Sequence, residues 1–324
     1  MDIILSSFGV TLQKENNLFC VNSHKGKQMI PPRDVSSISI SKGARISSDA
    51  VLLAIENEVD VFFVDKSGMP KGRIWSNQYG SISTIRKNQL EFIYSRKSVD
   101  WIKELISYKM DNHIAMLLLV QSEDKINRQL VKNAINAISD YKTKTLKLEG
   151  NIVADIAPSL RGWEGASSKR YFQVLSEHLP QKYRFEKRSQ NPATDKFNAL
   201  LNYGYGILYG KVEGALIKAG LDPYIGVFHR DDYNRPVLVY DVIERYRIWV
   251  DFVAYKLCQD DAFTDDCFTD FNGATWLDGL GKRIFIQAIH DYLSEIITID
   301  GLNRSRETHI TLFAQQITKV FSKI

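Results

Sequence analysis

Apolar and polar residues follow a strand-like pattern at the start of the chain and a helical one after it. Ile3-Ile4-Leu5, Val10-Thr11-Leu12, Leu18-Phe19-Cys20-Val21 and Ser37-Ile38-Ser39-Ile40 are short β-branched runs with Gly or Asn between several of them, which predicts strands. Glu15-Asn16-Asn17 and His24-Lys25-Gly26-Lys27 carry the residues of hairpin turns, and Pro31-Pro32 ends a strand. Ser47-Ser48-Asp49 predicts the cap of a helix over 50–58, with Val51, Leu52 and Ile55 as its apolar stripe. The nearly continuous apolar run 59–64 predicts a buried strand. Asp65-Lys66-Ser67-Gly68 turns it into a last strand over 72–75.

From Ser83 onward the spacing changes to three and four. Leu90, Phe92 and Ile93 begin the series, and Trp101, Ile102, Leu105 and Ile106 continue it. Ile114, Leu117 and Leu118 follow, then Leu130, Ala134, Ile135 and Ile138. Asp111-Asn112 and Gln121-Ser122-Glu123-Asp124 read as breaks, and a further helix is expected over 164–179. A long helix rich in small residues, over 195–219, stops at Gly220-Leu221-Asp222-Pro223. Beyond an acidic loop at 260–266, a hairpin of 267–270 and 274–277 turns at Asn272-Gly273, and helices over 279–298 and 305–323 close the chain. The acidic loop lacks the alternating ligands and final Glu of a calcium loop. The fold class expected is α+β: an N-terminal β-rich, β-sandwich-like unit over 1–78, then a mostly α-helical domain over 79–324.

Composition changes this picture little, because the apolar and charged fractions, 44% and 25%, are those of ordinary globular proteins. The net charge of +4 is local. Residues 161–190 hold seven Lys or Arg against three acids, the same excess as the whole chain. Such a window favours a polyanionic ligand, although many are simply solvated helix faces. Its basic residues Lys169, Arg170, Arg184, Lys187 and Arg188 are candidate nucleic-acid contacts, with Lys211 and Arg230 further along. Cys20, Cys258 and Cys267 are odd in number and form no CxxC pair, which argues against a disulfide framework and a structural zinc site and fits a reducing, cytoplasmic compartment. No signal peptide or membrane span is expected.

Candidate chemistry lies in three segments. Glu164 stands in Gly162-Trp163-Glu164-Gly165, where glycines let a ligand approach the backbone. His229 follows the apolar run 225–228. Asp241 and Glu244 are three apart in a helical pattern, so they share a face among apolar neighbours. Each signal has an ordinary reading: a first-turn acid, a hydrogen-bonded structural histidine, and an ion pair answered by Arg245 and Arg247. Together, oxygen donors and one imidazole beside a basic surface suit Mn²⁺ well and Mg²⁺ acceptably, and such an ion can activate a hydroxyl toward a phosphodiester. Tyr171, Tyr203, Tyr205 and Tyr209 are expected mainly in the core.

These segments also resemble a known family. Gly162-Trp163-Glu164-Gly165-Ala166-Ser167-Ser168-Lys169-Arg170-Tyr171-Phe172 is similar to the Glu-Gly…Tyr-Phe motif of CRISPR-associated protein one, the adaptation endonuclease/integrase. Asp195, Asn198, the run Leu200-Leu201-Asn202-Tyr203-Gly204-Tyr205, Gly220-Leu221-Asp222-Pro223…Gly226…His229, and Asp241…Glu244 before Tyr246-Arg247 match it too, as do Arg86 and Gln89. The resemblance implies a β domain that dimerises and a helical catalytic domain. It implies Glu164, His229 and Glu244 as ligands of Mg²⁺ or Mn²⁺, with Asp241 as an adjacent acid. It further implies double-stranded DNA and the small ferredoxin-like CRISPR-associated protein two as partners, and joining of DNA 3′-hydroxyl ends to a CRISPR repeat. Ser167-Ser168 departs from the small or aliphatic residues common in the family at this point.

Overall fold

The computed structural model describes residues 1–24, 26–35, 37–64, 70–74, 82–123, 128–190, 192–229 and 235–322. The chain divides into two compact units, Met1–Gly80 and Ser81–Ile324.

The first unit contains β1 (Asp2–Leu5), β2 (Thr11–Glu15), β3 (Leu18–Ser23), β4 (Gly26–Ile30), β5 (Ser37–Ser41), β6 (Arg45–Ile46), α1 (Ser48–Glu56), β7 (Asp60–Val64) and β8 (Pro70–Ile74). They form two four-stranded sheets, ordered β1-β5-β7-β8 and β4-β3-β2-β6. The β2–β3 hairpin turns where expected, with Asn16 and Asn17 both at positive φ (49° and 58°), the twist that two-residue turns require. The next hairpin pairs Ser23 with Gly26. The expected turn at 65–68 and boundary at 77–80 lie outside the described residues. The run of hairpins foresaw no parallel pairing, yet β1, β5 and β7 pair in parallel, with α1 in the β5–β7 crossover. One core serves both sheets: Ile3, Leu5, Ile38, Ile40 and Val61 from one, Leu12, Phe19 and Ile30 from the other. Ser47 Oγ caps α1 by accepting from the Ala50 N–H at 3.2 Å. The stripe read from Val51, Leu52 and Ile55 is wrong. The buried face is Ala50, Leu53 and Ala54, and Leu52 is exposed, because the two alanines let the helix lie close on the core.

The second unit is mainly helical: α2 (Ile82–Ile93), α3 (Arg96–Glu123), α4 (Arg128–Leu146), α5 (Val153–His178), α6 (Lys196–Lys218), α7 (Val237–Ile243), α8 (Arg247–Gln259), α9 (Gly279–Ser294) and α10 (Arg306–Phe321). Two small hairpins interrupt it, β9 (Phe268–Phe271) with β10 (Ala274–Leu277), and β11 (Ile296–Ile299) with β12 (Leu302–Ser305). The first turns at Asn272-Gly273 as expected. The helix expected over 279–298 is present as α9 but ends at Ser294, because Asp300-Gly301, at φ 52° and 77°, makes a hairpin turn that draws 296–299 into β11. The break expected at Asp111-Asn112 is absent. There α3 runs on, since Lys142 of α4 pairs with Asp111 at 2.6 Å and the Asn112 amide donates to the Arg245 carbonyl at 3.0 Å.

At the centre lies α6, apolar nearly all round and buried. Asp195 caps it, accepting from the Asn198 N–H at 2.8 Å. Gly204 lets α8 and α9 approach: a Cβ there would lie 2.5 Å from Val250 Cγ1 and 3.0 Å from Phe285 Cε1. Tyr171, Tyr205 and Tyr209 are buried and Tyr203 packs against the same core, as expected. The three cysteines are free and buried. Among the described residues, no helix is long and apolar enough to cross a membrane.

Candidate functional site

Glu164 does not open a helix. It sits mid-way along α5, which begins at Val153. Pro158 and Gly162 weaken the first half of the helical pattern, but Val153, Ile156, Ala157 and Leu160 bury against the core and hold it helical. The dipole explanation for Glu164 therefore falls, since that effect is confined to the first turn. Gly162 and Gly165 are exposed, and a Cβ at either would meet nothing within 4 Å, so no packing contact requires glycine there. Ser167 is buried, and its Oγ has no hydrogen-bond partner among the described residues.

Asp241 on α7 is 1% exposed and accepts four hydrogen bonds. Oδ2 takes the N–H of Val227 at 2.6 Å and of Phe228 at 3.1 Å, while Oδ1 takes the His229 N–H at 3.0 Å and its ring Nδ1 at 2.7 Å. Asp241 is thus the organiser of the 227–229 backbone. A carboxylate facing Nδ1 assigns the proton to that nitrogen and leaves Nε2 with a free lone pair, the arrangement found in metal-ligating histidines. Burial alone would lower the pKa of His229, but the Asp241 hydrogen bond and the charges of Asp241, Glu244 and Glu164 outweigh it and raise it. Two further side chains fix this segment. Gln89 of α2 donates to the Asp222 and Ile225 carbonyls, both at 2.8 Å, and Arg161 of α5 donates to the Phe228 carbonyl at 2.8 Å.

Glu244 caps the C-terminal end of α7 and is 5% exposed. Its Oε1 accepts from Arg247 Nε at 2.7 Å. Arg245, the other expected partner, instead lies over the Tyr108 and Phe313 rings. On the far side stands a residue the sequence reading missed. The ammonium of Lys109, on α3, lies 2.5 Å from Glu164 Oε1 and 2.5 Å from Glu244 Oε2. Burial works against both charged groups, yet Arg247 and Lys109 hold the Glu244 carboxyl well below its ordinary range, and the two carboxylates raise Lys109. A signal was present. Lys109 and His113 each fall three positions beyond an apolar residue of the α3 stripe, Ile106 and Met110 respectively, and both are buried.

Among the described residues, no three His, Cys, Asp or Glu side chains are gathered closely enough to hold an ion. The three-donor convergence expected from the sequence is instead a carboxylate pair closed on an ammonium, with a carboxylate-oriented imidazole whose charge environment includes both. These residues still fit a divalent cation. A positive charge already bridges the two carboxylates, and Glu244 Oε2 is enclosed with no hydrogen-bond partner among the described residues, only the ion pair.

The basic candidates separate. Lys169 and Arg170, on α5, and Lys187 are exposed. The Arg184 guanidinium is tied to the Leu179 and Glu177 carbonyls. Arg188 turns inward, bonding Asn198 at 2.7 Å and Asn202 at 2.6 Å and lying over the Tyr205 ring. Lys211 is paired with Glu307 of α10 at 2.8 Å. For Arg188 and Lys211 the structure supplies internal partners in place of phosphate. Arg230 lies outside the described residues.

The sequence matches the family described as CRISPR associated protein Cas1 over residues 3–291. It is 31% identical to CRISPR-associated endonuclease Cas1 1 of Archaeoglobus fulgidus, across 98% of this chain and 95% of that one. The fold is similar to that of a Cas1 protein from Thermotoga maritima, with a TM-score of 0.83 and 21% identity over 100% of this chain and 97% of that one. It is also similar to a casposase solved bound to integration product, with a TM-score of 0.85 and 20% identity over 99% and 90%. Matched in sequence from the first strand into α9 and in fold over its whole length, the chain belongs to the CRISPR-associated protein Cas1 family.

Proposed function

We propose that this protein is a metal-dependent DNA endonuclease/integrase of CRISPR spacer acquisition, joining the 3′-hydroxyl ends of a short duplex to repeat boundaries by transesterification. The observation that carries the reading is the pair Glu164 and Glu244, brought from α5 and the end of α7 onto one positive charge beside an imidazole oriented by Asp241. Glu164, Glu244 and His229 Nε2 are the groups that would hold Mg²⁺ or Mn²⁺. Such an ion, when bound, lowers the pKa of an attacking hydroxyl and neutralises charge developing on the phosphate. Asp241 keeps the His229 ring in one tautomer and orientation, and Arg247 keeps Glu244 ionised. The bare backbone at Gly162 and Gly165 leaves room for a DNA strand beside Glu164, and Lys169 and Arg170 on the same helix would hold its phosphates. The partners in this reading are double-stranded DNA, a second copy met through the β unit, and the small CRISPR-associated protein two.

The test is a strand-transfer assay with a short duplex, a repeat-bearing plasmid, Mn²⁺ and the small partner. Glu164→Ala and His229→Ala should each abolish joining while melting temperature and DNA affinity stay near those of the unaltered protein. Full joining by either variant would remove the metal-site reading and leave a DNA-binding scaffold.

A further inference from the structure

Lys109 is the one feature of this site that the proposed chemistry does not use. Its ammonium is the inner cation of Glu164 and Glu244, 2.5 Å from each, and the residue is only 8% exposed. An ammonium is a compact point charge on a flexible stem. It therefore neutralises two carboxylates that would otherwise repel one another in a poorly hydrated place. A divalent cation taken up by the same two oxygens needs the space that the ammonium fills.

We propose that Lys109 is an internal counter-cation that holds Glu164 and Glu244 in place and must be displaced when a divalent cation binds. The proposal rests on the reading of Glu164 and Glu244 as metal ligands. It makes Lys109 a positioning residue with two opposed effects: it keeps the carboxylate pair assembled without metal, and it weakens metal uptake. Only molecules whose lysine has withdrawn are competent to bind, so the apparent affinity is the intrinsic affinity reduced by that fraction. Arg247 does not share this effect, because it bonds Glu244 Oε1 and leaves Oε2 to Lys109.

The experiment is Mn²⁺ binding to the full chain without DNA, read by electron paramagnetic resonance and calorimetry, together with melting curves with and without Mn²⁺. Lys109→Gln removes the competing charge. It should bind Mn²⁺ about tenfold more tightly or better, melt lower than the unaltered protein without metal, and gain more in melting temperature on adding it. Lys109→Arg keeps the charge on a forked group that grips carboxylates more firmly. It should fold as the unaltered protein does and bind Mn²⁺ more weakly. A merely structural lysine would make both variants bind worse, so opposite signs are the signature. Equal or weaker binding by Lys109→Gln overturns the proposal, as does unweakened binding by Lys109→Arg, which stands alone if the glutamine variant does not fold. Glu164→Gln separates the two readings. If the unaltered protein binds Mn²⁺ and Glu164→Gln does not, a failed lysine result sinks only the counter-cation. If no protein binds Mn²⁺, the metal-site reading falls and takes the counter-cation with it.

Discussion

Single residues decide the behaviour of this site in acid. His113 stacks flat on Tyr171, with ring centroids 4.1 Å apart, and its Nδ1 has no partner among the described residues. Burial, aided by the Lys109 charge, pushes its pKa down to about 3. An unfolded chain binds that proton below the ordinary value of 6.5, whereas the folded one refuses it until about pH 3. The unfolded state therefore holds more protons across this window, and stability falls as pH falls. Between pH 7 and pH 5 the loss from this residue is about 2 kcal/mol. His113→Phe, which keeps the stacked ring, should flatten that part of the pH dependence in urea melts; equal slopes would place the acid lability elsewhere. Glu164, His229, Asp241 and Glu244 could be singled out in the sequence only as a set, since each alone has an ordinary reading. It was not legible how Asp241 is used, because four accepted hydrogen bonds come from a segment twelve to fourteen positions away. Lys109 escaped for a similar reason: a buried lysine shows its purpose only once its two counter-charges, 55 and 135 positions along the chain, are in view.

At the scale of elements, glycines on helices do two different things. In α6, Gly204 is a contact point. Gly204→Ala should cost about 1–2 kcal/mol, since overpacking against Val250 and Phe285 exceeds the gain in helix propensity. In α5, Gly162 faces open space. Gly162→Ala should stabilise the fold by up to about 1 kcal/mol yet reduce strand transfer if DNA approaches this backbone. Thermal melts and the joining assay read the two effects separately, and undiminished joining would mean that the strand passes elsewhere. Most elements could be read from periodicity and turn residues. The failures in α3 and α1 share one cause, which is that packing partners outvoted local signals. Lys142 and Arg245 carried α3 through Asp111-Asn112, and Ala50 with Ala54 turned α1 onto another face. The β11–β12 hairpin is the exception, a turn signal at Asp300-Gly301 that the apolar pattern around it obscured.

For the molecule as a whole, the modest net charge conceals an uneven distribution. Seven basic residues between 161 and 190 suggested one patch, but the fold sorts them. Lys169 and Arg170 stand in solvent, whereas Arg188 is locked among Asn198, Asn202 and Tyr205. Replacing Lys169 and Arg170 together by Ala should weaken DNA binding and reduce the slope of log affinity against log salt by about 2, with little change in stability. An unchanged slope would turn this helix face away from the DNA. Sequence shows how many charges a chain carries, and only the fold shows which remain available.

The bonds gathered by Asp241 carry a broader consequence. Shape and reactivity at this spot share one side chain, so losing the first takes the second with it. A copy whose 227–229 strand of backbone has worked free has surrendered its aimed imidazole in the same event. For a protein proposed to open and reseal the strands of a genome, damage of this kind yields an idle molecule, not an unruly one.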